Sequence, residues 1–281
     1  MKNYKATTPS RRQMTAVNYS GLTAVKPQKS LTRGFRRDMG RNSQGRITTR
    51  HKGGGHKRRY REIDFSMEKR NVPFRIASIE YDPNRSGFVG LSVYEDGEKR
   101  YTLLPAGVAL GDRLVVSEAA PLKTGNRIPL GNLPVGTLVY NIEIKPGGGA
   151  KLVRSAGSFA EVVAKDAGFV DLKLPSSEVR KVKESVWASI GEVSNQESRL
   201  VNLGKAGRSR HLGIRPTVRG SAMNPRDHPY GGGEQRAGRG TRRAKSKWGK
   251  PTGIGQKTRR AKKYSNIFIV SRRKSKKGKK L

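Results

Sequence analysis

The distribution of charge along the chain constrains its fold more than any other feature. Residues 1–62 carry a net charge of +15, residues 63–200 a net charge of +1, and residues 201–281 a net charge of +23. A folded chain with a total net charge of +39 repels itself unless a polyanion neutralises it. Nucleic acid is the favoured polyanion, because each neutralised phosphate releases condensed counterions. We therefore predict a near-neutral folded middle between two basic arms that bind nucleic acid.

Composition argues against several other classes of protein. The chain has no Cys, which excludes disulfides and thiolate metal sites. No stretch approaches the roughly 18 consecutive apolar residues of a transmembrane helix, and residues 1–30 lack the apolar run of a secretory signal, so we expect no membrane partner. The four His residues are His51, His56, His211 and His228, at spacings that do not suit structural zinc. We expect no metal site and no resident cofactor, apart from magnesium that accompanies RNA.

The middle of the chain has the pattern of many short strands. Phe88–Tyr94 and Lys99–Leu104 favour strand and are joined through Asp96 and Gly97, a strong hairpin signal. Short strands separated by turn residues indicate small barrels or sandwiches. A domain boundary is predicted near Lys123. The other predicted strands are Phe74–Tyr81, Arg113–Ser117, Thr137–Ile144, Ala160–Ala164, Phe169–Leu174 and Glu178–Val182.

The first arm contains a basic, glycine-rich segment that runs from Gly40 to Arg61. Lys and Arg neutralise phosphates, three consecutive Gly let the backbone approach RNA, and Tyr60 offers a stacking surface. The alternative interpretation is a flexible linker; a nucleotide-binding phosphate loop is disfavoured because no Gly-Lys pair is followed by Ser or Thr. The candidate RNA-binding residues are Arg41, Arg46, Arg50, His51, Lys52, Gly53, Gly54, Gly55, His56, Lys57, Arg58, Arg59, Tyr60 and Arg61.

The second arm contains a comparable segment from Arg219 to Arg236, in which Asn-Pro and His-Pro steps fix turns. His228 is the candidate for acid–base catalysis, which would need an orienting partner and a pocket that the sequence does not promise. We therefore predict that the chain is not an enzyme. The basic run that begins at Arg272 reads as a solvated or RNA-wrapped tail, or as an import signal. The candidate RNA-binding residues are Arg219, Met223, Asn224, Pro225, Asp227, His228, Gly231, Gly232, Gly233 and Arg236.

The two arm motifs resemble the signatures of a known family. Gly40–Phe65 and Arg219–Gly233 are similar to motifs of the large-subunit ribosomal protein family called L-two, of bacterial or organellar type. Pro134–Asp166 and Leu174–Val182 resemble its second domain, so the similarity follows nearly the whole chain in order. One departure is Tyr230, which stands where bacterial members commonly carry the second His of a His-Pro-His-Gly-Gly-Gly motif.

The resemblance implies an all-β fold with extended basic N- and C-terminal arms. An oligonucleotide-binding-type barrel is expected first and an SH3-like barrel second. The expected segments are a basic arm over residues 1–62, the first barrel over 63–123, the second barrel over 124–200 and a basic Gly-rich arm over 201–281.

The resemblance also implies a structural constituent of the large ribosomal subunit, in the cytoplasm or in an organellar matrix. Such a protein is a primary binder of large-subunit rRNA near the subunit interface and the peptidyl-transferase region. It supports subunit association, tRNA binding and peptide-bond formation. The implied partners are this rRNA, the small subunit, nearby tRNA and neighbouring ribosomal proteins, without homo-oligomers.

Two alternatives stay open from the sequence. A histone-like, nucleic-acid-compacting protein would share the charge, but it should show helices and minor-groove wedges. Direct participation of His228 in peptidyl transfer is the other alternative.

Overall fold

The computed structural model describes residues 1–23, 26–34, 37–234, 238, 240–253 and 258–273. Its helical elements are short: α1 (Pro9–Arg12), α2 (Ala206–His211) and 3-10 turns at Lys29–Leu31, Leu130–Asn132, Gln196–Leu200, Gly220–Ala222 and Tyr264–Asn266. No helix among the described residues combines the length and the apolar character needed to cross a bilayer. The strands of the first half are β1 (Lys2–Asn3), β2 (Thr15–Ala16), β3 (Thr32–Gly34), β4 (Arg59–Arg61), β5 (Phe74–Glu80), β6 (Val89–Tyr94), β7 (Lys99–Leu103) and β8 (Arg113–Leu114). Those of the second half are β9 (Arg127–Pro129), β10 (Leu138–Tyr140), β11 (Ile142–Glu143), β12 (Ala150–Leu152), β13 (Ala160–Asp166), β14 (Phe169–Lys173), β15 (Val179–Lys183), β16 (Trp187–Ile190) and β17 (Ile269–Ser271).

The first barrel is built on an antiparallel sheet of order β7-β6-β5-β8. Alternation of buried and solvent-facing side chains orients β5, which buries Phe74 and Ile76 and exposes Arg75. The predicted hairpin between β6 and β7 is confirmed: Gly97 adopts a φ of 85° and its N–H donates to the carbonyl of Tyr94 at 2.9 Å. The core contains Met67, Phe74, Ile76, Tyr94, Leu104, Leu114, Val116 and Trp187.

The second barrel is built on a seven-stranded sheet of order β17-β15-β14-β13-β10-β16-β9, with the pair β11-β12 beside it. In β14, Val170 and Leu172 are fully buried while Asp171 between them is only partly so. Asn141 has a φ of 53° and separates β10 from β11, so the single strand predicted over Thr137–Ile144 is two strands. The core contains Ile128, Leu130, Leu133, Val139, Ile142, Ala160, Val162, Val170, Leu172, Val182, Val186, Ala188 and Ile190.

Parts of both basic arms are strands rather than extended tails. In the first arm, β3 pairs with β4 with Arg33 opposite Tyr60. In the second arm, β17 adds to the edge of the second barrel, with Ser271 opposite Val179. Backbone pairing therefore fixes these basic segments beside the barrels.

The chain divides into two compact units. The barrel unit comprises Met1–Arg36, Lys57–Ala206 and Ile267–Leu281, and the loop unit comprises Arg37–His56 and Gly207–Asn266. The loop unit therefore takes one segment from each arm, and it contains most of the glycine-rich sequence. The four-segment division expected from the sequence stays a prediction.

Candidate RNA interface

The first half of the loop unit is a basic loop that folds back on itself between Gly40 and Thr49. The carbonyl of Gly40 accepts the N–H groups of Thr48 and Thr49 at 2.9 and 3.0 Å. Gly40 has a φ of 76°, and a Cβ there would lie 2.1 Å from the carbonyl oxygen of Thr49. Only glycine fits this closure, because another residue would be strained and would collide with backbone.

The tip of this loop is organised by Asn42. Its Oδ1 accepts the N–H groups of Gln44 and Arg46 at 3.1 and 2.9 Å, and Arg41 Nη1 donates to the carbonyl of Gly45 at 2.7 Å. These bonds satisfy the turn internally, as Asn side chains commonly do. The side chains of residues 41–50 are exposed, so the cations of the loop face solvent.

The glycine triplet lies against the segment that follows α2. The N–H of Gly53 donates to the carbonyl of Gly213 at 2.8 Å, and the N–H of His56 donates to the carbonyl of His211 at 2.9 Å. Gly55 has a φ of 63°, and a Cβ there would lie 2.6 Å from the carbonyl oxygen of His211. At Gly55 the close approach that needs glycine is therefore an approach to protein backbone, and the approach of the triplet to RNA stays a prediction.

A hollow of about 330 Å³ opens between these two segments. Six of its lining residues are basic: Arg41, Arg50, His51, Lys52, Arg210 and Arg215. The remaining lining residues are Met39, Ile47, Thr49, Gly53, Gly54, Gly55 and Ile214, and none of the described residues that line this hollow is acidic. Converging guanidinium and ammonium groups without a carboxylate among them suit the binding of phosphates.

The second glycine-rich segment forms a compact loop around His228. Nδ1 of His228 accepts the N–H of Tyr230 at 3.1 Å, and the two rings lie 4.9 Å apart. A Cβ at Gly220 would lie 2.5 Å from Cε1 of His228, so the imidazole packs directly on the Gly220 backbone. The N–H of Gly231 donates to the carbonyl of His228 at 2.9 Å. The ring of His228 is therefore held by the backbone of Gly220 and of Tyr230, and its own carbonyl is held by Gly231.

The surrounding residues of this loop close its turns. The carbonyl of Asn224 accepts the N–H groups of Asp227 and His228 at 3.0 and 3.3 Å, and that of Met223 accepts the N–H of Gly232 at 3.1 Å. Asp227 is exposed and pairs with Arg226 at 3.7 Å. Pro225 packs against Gly232, and Gly233 has a φ of 84°. Arg219 is exposed. Arg236 and residues 274–281 of the basic tail lie outside the described residues.

Five of the predicted site residues, Lys57 to Arg61, belong to the barrel unit. Lys57 and Arg59 are exposed, whereas Arg58 Nη1 donates to the carbonyl of Pro83 at 2.6 Å. Arg61 is buried, and its Nε donates to Glu80 Oε2 at 3.3 Å. The charge of Arg61 is therefore already paired inside the barrel.

A second basic hollow, of about 670 Å³, lies on the barrel unit and was not predicted. The guanidinium of Arg154 lies 4.4 Å from the ring centroid of Phe65, and that of Arg85 lies 5.3 Å from that of Tyr60. Val153 in its lining has a φ of 54°, a strained conformation for a β-branched residue. Sequence reasoning missed this hollow because its cations lie in a segment whose net charge is close to zero.

Acidic groups and imidazoles do not gather at either hollow. Among the residues that the structure describes, no three or more His, Asp or Glu side chains form a group that could hold a metal ion. Within the same residues, no carboxylate is hydrogen-bonded to the ring of His228. The features that the geometry brings together are cations, aromatic rings and left-handed glycines.

Comparison with protein families agrees with this geometry. Residues 28–116 match the RNA-binding N-terminal domain of ribosomal proteins L2, and residues 123–249 match their C-terminal domain. These domains have oligonucleotide-binding-type and SH3-like folds, which confirms the expected all-β class. A structural, RNA-binding role in the large ribosomal subunit follows from the two matches. The chain belongs to the ribosomal protein L2 family.

Proposed function

We propose that the chain is a primary binder of large-subunit rRNA and that its loop unit contacts RNA near the subunit interface and the peptidyl-transferase region. The observation that carries this proposal is the hollow of the loop unit, where the lining, within the part of the chain that the structure describes, has six basic residues and no acidic one. Such a cluster is self-repelling in the free protein, and it is relieved when phosphates enter.

The cations on the two sides of this hollow come from different segments of the loop unit. Arg41 and Arg50 come from the loop that Gly40 closes, and Arg210 and Arg215 come from the segment paired with the glycine triplet. Arginine can donate two parallel hydrogen bonds to one phosphate, so groups from both sides can hold successive phosphates of a folded strand.

The hollow of the barrel unit supplies a second contact. Tyr60 and Phe65 offer ring faces, and Lys151 and Arg154 supply positive charge beside them. The guanidinium of Arg85 beside Tyr60 is already paired with Asp82. Aromatic rings next to cations favour unpaired nucleotides, whose bases stack while their phosphates pair with the cations. Through this contact the barrel unit would bind RNA although residues 63–200 have almost no net charge.

In this role the chain would support subunit association, tRNA binding and peptide-bond formation by shaping RNA. The small subunit, tRNA and neighbouring ribosomal proteins would be its partners in the ribosome. We propose no resident cofactor, and magnesium would accompany the RNA. Direct chemistry by His228 is disfavoured, because Nδ1 already accepts the N–H of Tyr230 and the neutral ring then carries its proton on Nε2, which leaves no free basic nitrogen to take a proton from a substrate.

Footprinting of large-subunit rRNA by the full chain tests the proposal. We expect a defined stretch of rRNA to be protected from cleavage. Replacing Arg41, Arg50 and Arg215 by Ala should remove part of that footprint. The matched control replaces Arg75, Lys99 and Arg113 by Ala, three exposed cations of the barrel unit outside both basic hollows. Equal loss in both variants, or protection of arbitrary RNA and DNA alike, would contradict the proposal.

A further inference from the structure

We infer that Trp248 is a stacking platform for an unpaired nucleobase, an assignment that rests on the proposed RNA-binding function and locates one contact within it. The side chain of Trp248 is 69% exposed. Trp side chains are highly buried on average, because removing their large apolar ring from water is favourable. In Trp248 the indole face is instead accessible to a partner, and the groups around it decide which kind of partner can cover it.

The surroundings of the ring specify the chemistry of that partner. The guanidinium of Arg50 lies 5.6 Å from the ring centroid, and Nζ of Lys247 lies 4.9 Å from it. Arg50 also lines the basic hollow of the loop unit. An aromatic face beside two cations matches a nucleotide, whose base stacks and whose phosphate pairs with the cations. An acidic protein surface would use the cations but would leave the indole face uncovered.

The backbone presents the indole at the tip of a short hairpin. Lys245 bridges to Pro251, and the N–H of Ser246 donates to the carbonyl of Lys250 at 2.8 Å. The N–H of Gly249 donates to the carbonyl of Ser246 at 2.9 Å, and Gly249 takes a φ of 74°. Trp248 thus occupies the third position of a closed turn, from which its side chain projects into solvent.

Tyr230 fastens this hairpin to the loop of His228. Its hydroxyl accepts the N–H of Lys245, the first bridged residue of the hairpin. This hydrogen bond joins the phenol to the backbone of the hairpin. We therefore assign Tyr230 as a positioning residue that holds the hairpin and Trp248 in place.

Intrinsic fluorescence tests the stacking directly, because the chain has two Trp residues and only one of them is exposed. Trp187 is 6% exposed, so the variant Trp187→Phe leaves Trp248 as the sole reporter. The probes are single-stranded oligoadenylate and oligouridylate of eight nucleotides and a duplex of the same length. We expect both single strands to quench Trp248, oligoadenylate more strongly because a purine covers more of the ring, and the duplex to have little effect. If Trp187→Phe does not fold, acrylamide quenching of the unaltered chain separates the two Trp residues by their exposure.

Affinity variants complete the test. Trp248→Leu should weaken binding of oligoadenylate about ten- to a hundredfold while the salt dependence stays unchanged, since stacking and charge act separately. Trp248→Phe should keep most of the affinity. The matched control is Tyr264→Leu, another exposed aromatic residue of the loop unit, which should bind normally.

The role of Tyr230 is tested in two backgrounds. Tyr230→Phe removes only the hydroxyl and should weaken oligoadenylate binding severalfold in the unaltered chain. In the Trp248→Leu background, Tyr230→Phe should have no further effect on affinity, because Tyr230 acts on binding only by positioning the indole. Additive losses would show that Tyr230 acts elsewhere.

The outcomes separate the inference from the proposed function. If rRNA is protected in footprinting but Trp248 is not quenched and Trp248→Leu binds normally, the stacking assignment is wrong and the proposed function stands. If a protein rather than RNA covers the indole, Trp248 will be quenched only in assembled ribosomes and not by either oligonucleotide, which also overturns the assignment. If no rRNA is protected at all, the proposed function itself fails.

Discussion

Arg127 and Glu143 form an ion pair between two side chains that are almost completely buried, with Nη2 donating to Oε1 at 2.9 Å. Arg127 Nη1 also donates to the carbonyl of Asn141 at 2.7 Å. The backbone of Arg127 meanwhile pairs with the end of the first barrel, where its N–H donates to the carbonyl of Val115 at 3.1 Å. Arg127 of β9 therefore contacts the first barrel through its backbone and the second barrel through its side chain.

The variant Arg127→Met should strongly destabilise the barrel unit. It removes the counter-charge and leaves a carboxylate buried, which typically costs about 3–5 kcal/mol. Chemical denaturation monitored by circular dichroism measures the loss. The control is the double variant Arg127→Met with Glu143→Leu, which buries no charge and should recover much of the stability. A loss below about 1 kcal/mol in the single variant would mean that water reaches the pair.

The local sequence pattern predicted the strands that have one buried face and one more exposed face. The alternation in β5 and β14 and the Asp-Gly turn after β6 are properties of a few adjacent residues, so they can be read from the sequence. The strand β16 was missed because Trp187 to Ile190 are all buried and show no alternation. The strand β17 was missed because its apolar residues lie within a basic arm.

Charge gives a prediction of which segments bind RNA, which stays a prediction, but it says nothing about how those segments are arranged. The pairing of Gly53 with Gly213 joins segments that are far apart in the chain, so no local signal reports it. The hollow around Phe65 and Arg154 likewise needs residues that only the folded barrels bring together. Burial of Arg61 could not be foreseen either, since a cation in a basic run resembles its exposed neighbours.

The variant Gly55→Ala should open the pairing between the glycine triplet and the segment after α2. Alanine at a φ of +63° costs about 1–2 kcal/mol, and its Cβ would also collide with the carbonyl of His211. We expect faster hydrogen exchange at the amides of Gly53 and His56 and weaker rRNA binding. The matched control is Gly45→Ala, which shares the left-handed conformation, with a φ of +75°, but has open space for the new methyl group.

That control isolates the collision from the backbone strain. If the two variants change hydrogen exchange and rRNA affinity equally, the collision with His211 contributes nothing. Glycine would then be needed at Gly55 only because of the left-handed backbone conformation.

The salt dependence of rRNA binding should report the cations of the loop unit. Replacing Arg41, Arg50 and Arg215 by Ala should reduce the slope of log affinity against log salt by about 2–3, since each phosphate contact contributes about 0.7–0.9. Point variants are the right tool, because truncating the second arm would also remove β17 from the second barrel. Affinity measured at a series of salt concentrations checks the slope. An unchanged slope would show that these cations do not meet phosphates.

Asp64 should make the stability of the barrel unit depend on acidic pH. Burial opposes ionisation of Asp64, but hydrogen bonds from Arg100, the amide of Met67 and Ser66 outweigh it and lower the pKa of the carboxyl. A folded-state pKa below the unfolded value, about 3.9, gives stability that is present above that pH and is lost as pH falls through the folded-state pKa. Asp64→Asn should therefore be destabilising at pH 7 and converge with the unaltered chain only once the pH has fallen below the folded-state pKa of Asp64. Denaturation at a series of pH values tests this, and a constant difference would contradict it.

The variant His228→Gln distinguishes a structural imidazole from a catalytic one. The ring packs on Gly220 and accepts the N–H of Tyr230 at Nδ1, so the neutral ring carries its proton on Nε2. Loss of such a contact typically costs about 1–3 kcal/mol when the partner is left unpaired. We expect lower incorporation into large subunits or weaker subunit joining, because the flexible amide cannot fill the flat space above Gly220.

Particles that do assemble with His228→Gln should keep most of their rate of peptide transfer, because a misplaced loop weakens assembly without removing a chemical step. The measurement is single-turnover peptide transfer on purified particles whose composition has been checked. The matched control is His51→Gln, which removes another imidazole of the loop unit at the lining of the basic hollow. A hundredfold or greater loss of rate in the His228 variant alone, at normal occupancy and with intact RNA structure, would mean that the ring takes part in the reaction, since positioning losses of this size would also appear in occupancy.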